Sequence, residues 1–103
     1  MFRRLLAHFR RRPAVTPRIV FARPLGDEMV TELGRRGLNG AREAGAFLLT
    51  PRDGDGRRVT RILYLDDLDP SCLVGGIHFH GSGYSALATI CEHDQLRVLA
   101  DVH

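Results

Sequence analysis

Apolar positions recur with period two in some stretches of the chain and at helical spacing in others, with Pro and Gly punctuating the changes. Ile19-Val20-Phe21-Ala22 is a short β-rich run ended by Pro24, and it predicts an opening or edge strand. Asp27 then stands where a helix cap belongs. It is followed by Met29, Val30, Leu33 and Leu38 at helical spacing, with Glu28 and Glu32 near the positive end of that helix and Gly34, Gly37 and Gly40 closing it. Ala46–Leu49 predicts a buried strand, and two Asp-Gly pairs in Pro51–Gly56 predict a turn. Val59–Leu65 alternates and should return antiparallel as the second arm of a hairpin. Asp66-Asp67-Leu68-Asp69-Pro70 reads as a polar loop, and Leu73-Val74 with Ile77-His78-Phe79 as a short strand region broken by Gly75-Gly76. Tyr84–His93 predicts a helix with Leu87, Ile90 and Cys91 inward, and Leu96–His103 a final buried strand. That strand stops on His103 without a turn, cap or polar tail, so the sequence reads as a domain truncated at its C-terminus.

This order of elements predicts an α/β fold, a mixed and largely antiparallel sheet flanked by helices. At 103 residues and 44% hydrophobic content, the chain has enough material for one core and not for two. The net charge of +3 is unevenly placed. Arg3, Arg4, Arg10, Arg11, Arg12 and Arg18 crowd the first eighteen residues, where no acid occurs, and the remainder is slightly acidic. Residues 1–17 are therefore expected to form a basic flexible arm, and 18–103 a partial domain with little reason to bind nucleic acid. The arm also places Phe2, Leu5, Leu6 and Phe9 on one face of a short basic helix suited to a membrane surface or an acidic partner. No apolar run is long enough to cross a bilayer, the opening residues lack a secretory h-region, and Cys72 and Cys91 are too few for a disulfide framework. The expected compartment is the cytoplasm.

The order helix, Glu, strand, hairpin, helix, strand ending in His carries one resemblance. Glu43 before Ala-Gly-Ala-Phe-Leu-Leu, and Leu-Ala-Asp-Val before His103, resemble the entry glutamate and the first histidine of the JAB/MPN (JAMM) metalloproteases. The resemblance spans about Ile19 to His103. It implies a zinc-dependent hydrolase of peptide or isopeptide bonds, with a protein substrate that can carry a ubiquitin-like modifier. Glu43 would be the general base and His103 the first zinc ligand. The second histidine, the serine and the aspartate of the family motif would lie beyond His103. The chemistry explains such a pattern, because a hydrolytic zinc keeps three protein ligands and an open position, and a nearby carboxylate moves the water's proton. A non-catalytic scaffold of the same fold is the alternative.

Two other placements compete. His78-Phe79-His80 with Thr89 and Glu92 has the family's downstream spacing, but needs substitutions at Gly81, Thr89 and Glu92. Cys72, His78, His80, Cys91 and His93 could be gathered as a structural zinc site, although the tight ligand pairs usual for such sites are missing. No phosphate-binding loop and no nucleophilic serine motif is present.

Overall fold

The computed structural model describes residues 18–103, so the basic arm read from residues 1–17 lies outside the described residues. The described chain is a small mixed α/β domain. Helix α1 spans Arg23–Arg36, and a 3-10 turn, Leu38–Gly40, leads to strand β1, Ala46–Pro51. Strand β2 (Arg61–Tyr64), a one-turn helix α2 (Leu65–Leu68), helix α3 (Gly81–Asp94) and strand β3 (Leu96–Val102) follow. The three strands form one antiparallel sheet in the order β2-β1-β3.

The predicted hairpin is present. Leu48 stands opposite Ile62 and Phe47 opposite Leu63, and the Thr60 amide donates to the Leu49 carbonyl beyond the named strand. β1 is the central strand and its Ala46, Leu48, Leu49 and Thr50 are buried. β3, expected to be buried, is an edge strand: it pairs with β1 on one side only, and Arg97, Val98 and Asp101 are exposed. A bulge between Leu48 and Leu49 shifts its register, so Ala100 opposes Leu48 while Val98 opposes Leu49.

Leu87 of α3 packs with Leu49 and Leu96, and Phe47, Leu63, Leu68 and Cys91 close around them. Burial of these side chains is the main favourable term holding α3 to the sheet. α1 has no buried residue, and much of its attachment is polar. The Arg36 side chain is 11% exposed; its guanidinium bonds Glu32, Asp66 and Asp67 and lies 4.2 Å from the centre of the Tyr64 ring.

Four local expectations are corrected. Ile19–Ala22 forms no strand; only Val20 bridges Arg58. α1 starts at Arg23 with Pro24 in its first turn, where a fixed φ favours initiation, so Asp27 is inside the helix and caps nothing. Leu38 has a positive φ and is exposed past the helix end, stabilised by neither spacing nor burial. Leu73–Phe79 forms no strand: turns run to Gly75, a bend follows at Gly76, and Ile77–Phe79 are irregular, with Gly75 and Gly76 both at positive φ.

Candidate active site

The candidate site lies where β1 begins and β3 ends. Directly opposed residues of an antiparallel pair share a face, and Phe47 opposes Asp101. Period two then puts His103 on the same face as Asp101. Glu43 sits at the mouth of β1, just ahead of this pair. These residues, with Leu65, Ile77, Phe79 and Tyr84, line one cleft of about 400 Å³. Glu43 and His103, the catalytic and metal residues expected from sequence, thus line the same cavity although they come from distant parts of the chain. The His103 Nδ1 lies 3.6 Å from Asp101 Oδ2, and both side chains are largely exposed at the rim.

Gly45 makes this convergence possible. A Cβ there would stand 2.9 Å from the Val102 carbonyl oxygen and 2.7 Å from Leu65 Cδ1, so any side chain would force β3 or α2 away from the mouth of β1. The Gly45 carbonyl in turn accepts the Leu65 amide at 3.0 Å and seats α2 against the cleft.

The inner wall is aromatic. Phe79 meets Phe47 edge-on at 5.5 Å and Tyr84 edge-on at 4.7 Å. A Cβ at Gly83 would approach Phe79 Cζ to 2.5 Å, so the first turn of α3 must be bare for the ring to lie on it. Behind this wall Leu65, Cys72 and Leu73 form a second small core with Ala44 and Ile77.

Asp69 holds the wall in place. Its carboxylate, 5% exposed for the residue as a whole, accepts the His80 amide at 2.9 Å, the His80 Nδ1–H at 2.7 Å and the Ser71 hydroxyl at 3.2 Å. The His80 amide contributes most to holding the Asp69 carboxyl below its ordinary value; burial opposes it, and the His80 ring and Ser71 add to the lowering. Its own amide donates to the Leu65 carbonyl at 2.8 Å. One residue therefore joins the end of α2 to the start of α3. The segment expected to be a plain polar loop contains this buried acid and the α2 turn, whose Asp66 and Asp67 go to Arg36.

The competing placements are not assembled. His78 Nε2 contacts the Gly75 carbonyl, His80 faces Asp69, the Thr89 hydroxyl donates to the Ser85 carbonyl, and Glu92 receives Arg52. Among the described residues no three His, Cys, Asp or Glu side chains are grouped so as to hold a metal ion. The donor set of the cleft, one imidazole and two carboxylates at its rim, therefore does not by itself make a zinc site. Burial pushes the Cys72 thiol up, which leaves it a packed thiol with little nucleophilic character.

Sequence reasoning missed Asp101, Phe47, Phe79, Tyr84 and Asp69 as parts of the site. Period two along β3 pointed to Asp101 two residues before His103. Nothing in the local sequence marked Asp69, whose burial depends on the return of His80. No family model matches the chain, and no solved structure matches it.

Proposed function

We propose that residues 18–103 form the N-terminal portion of a JAB/MPN-type zinc-dependent hydrolase domain, acting on peptide or isopeptide bonds of a protein substrate such as a ubiquitin-like modifier conjugate or precursor. The observation that supports this reading is the meeting of Glu43 and His103 in one cleft with an apolar wall. Glu43 stands at the cleft mouth, where a carboxylate can take a proton from an attacking water and deliver it to a leaving amine. Phe47, Phe79 and Tyr84 supply an apolar surface for substrate side chains and reduce the water around the reacting bond. A zinc ion at such a site would polarise the carbonyl and lower the pKa of its water, but it requires two donors besides His103, from outside the described residues. Without them the same cleft serves the alternative, a non-catalytic scaffold that receives a partner segment on its aromatic wall.

The test uses the natural full-length polypeptide and a fluorogenic isopeptide-linked substrate. Glu43→Gln should lower turnover by about 10²- to 10⁴-fold while zinc content, read by atomic absorption, stays near wild type. His103→Ala should lose zinc and turnover together. Retention of turnover within a few-fold in Glu43→Gln would overturn the assignment of the base.

A further inference from the structure

The far end of β1 from the cleft carries a surface of another kind. Val20 is tied to the segment entering β2, its amide donating to the Arg57 carbonyl and its carbonyl accepting the Val59 amide, both at 2.8 Å. This places Arg18, Val20, Asp55, Arg57 and Arg58 around one open groove of about 220 Å³. Arg97, opposite Thr50 at the same end of the sheet, reaches in: its guanidinium occupies the space that a Cβ at Gly56 would need. Arg18, Arg57, Arg58 and Arg97 are all exposed. None of them forms an ion pair among the described residues, whereas Arg35, Arg36, Arg52 and Arg61 all do. Asp55, the acid in the groove, accepts the Arg57 amide at 2.9 Å and serves the turn.

Beside these unpaired cations stand two exposed aliphatic side chains, Ile19 at 42% and Val20 at 46%. Guanidinium groups match phosphate oxygens in a bidentate way, and aliphatic side chains beside them favour the boundary between headgroups and acyl chains. The preceding sequence has the same composition: Arg3, Arg4, Arg10, Arg11 and Arg12 alternate with Phe2, Leu5, Leu6 and Phe9, and no acid occurs before Asp27. A groove for single-stranded nucleic acid would line its cations with stacking aromatics, whereas the residues around this groove are arginines, Val20 and Asp55. We infer that this arginine and aliphatic surface docks the protein on an anionic phospholipid bilayer, through lipid phosphates, with the cleft held away from the membrane. No helix among the described residues is long and apolar enough to cross a membrane.

The full chain is mixed with sedimenting vesicles of phosphatidylcholine containing either no or about 30 mol% phosphatidylglycerol, a composition chosen to give a negative surface. Wild type should partition to the anionic vesicles alone, and rising salt should release it. Each arginine near such a surface is worth roughly a factor of five, so Arg57→Gln with Arg58→Gln should weaken partitioning on the order of 25-fold. The double lysine variant should stay within a few-fold of wild type. All these side chains are exposed, so thermal melts of the variants should overlay that of wild type, which separates lost docking from lost folding. The inference is overturned if the double glutamine variant partitions as wild type does, which would leave the remaining basic residues sufficient. It is equally overturned if neutral vesicles bind as well, or if wild type ignores anionic vesicles and binds a DNA duplex or polyglutamate instead.

Discussion

Adding one methyl group at two glycines should move stability in opposite directions. At Gly45 the new Cβ would lie 2.9 Å from the Val102 carbonyl oxygen and 2.7 Å from Leu65 Cδ1. The leucine tip could rotate if it had room, but Leu65 is already packed with Cys72 and Leu73. The carbonyl belongs to the β1–β3 ladder, so relief there means separating the strands beside His103. Overpacking of this kind costs about 1–3 kcal/mol. At Gly34, in the last turn of α1, nothing lies within 4 Å of where the methyl group would sit and φ is not positive. Alanine there gains helix propensity and restricts the unfolded chain, worth about 0.5–1 kcal/mol. At roughly 4–8 °C per kcal/mol for a domain of this size, Gly45→Ala should melt well below wild type and Gly34→Ala several degrees above it. Thermal melts by far-UV circular dichroism and urea titrations at constant m check both. A neutral Gly45→Ala would refute the tight junction at the mouth of the cleft, and a destabilised Gly34→Ala would refute the open placement of α1.

Three further outcomes are expected. Arg36→Ala leaves Glu32, Asp66 and Asp67 without their shared cation and should cost about 1.5–3 kcal/mol, with Arg36→Lys restoring little because an ammonium cannot bond all three and cover Tyr64; equal melts for wild type and Arg36→Ala would count against the polar attachment of α1. Arg35 and then Arg36 lower the Glu32 pKa from 4.5 to about 2, and the His80 amide leads the lowering of Asp69. A carboxyl depressed on folding stabilises the native state above its unfolded pKa and loses that contribution as pH falls through the folded one, so the melting temperature should decline from about pH 4.5 towards pH 2; a flat profile there would contradict both contacts. Zinc titration of the 103-residue chain by calorimetry should show weak uptake and no peptidase activity, since one imidazole and two rim carboxylates do not make three grouped ligands; tight one-to-one uptake would point to other donors.

Much of the secondary structure was legible because its signals are local. Ala46–Leu49, the Asp-Gly turn and the alternation before Leu65 determined a hairpin, and the apolar spacing around Leu87 and Cys91 determined α3. Glu43 at a strand mouth and His103 at a strand end could likewise be named from the sequence. Their shared cleft could not, because it depends on β3 pairing with β1 in the register that sets Ala46 against Val102. Period two tells which side chains share a face of one strand but not which strand lies beside it. The same limit misplaced the final strand as buried, when tertiary pairing makes β1 central and leaves β3 at the edge. Asp69 and Arg36 show the limit most sharply: a loop acid and a helix-end arginine look solvated in sequence, and become anchors, Asp69 buried and Arg36 half-buried, only because His80, Asp66, Asp67 and Tyr64 return to them from elsewhere in the chain. Charge and hydropathy along the chain determined the elements and their candidate chemistry. Long-range pairing decided which of those groups meet, since a buried polar group is stable only beside a partner that the local sequence does not contain.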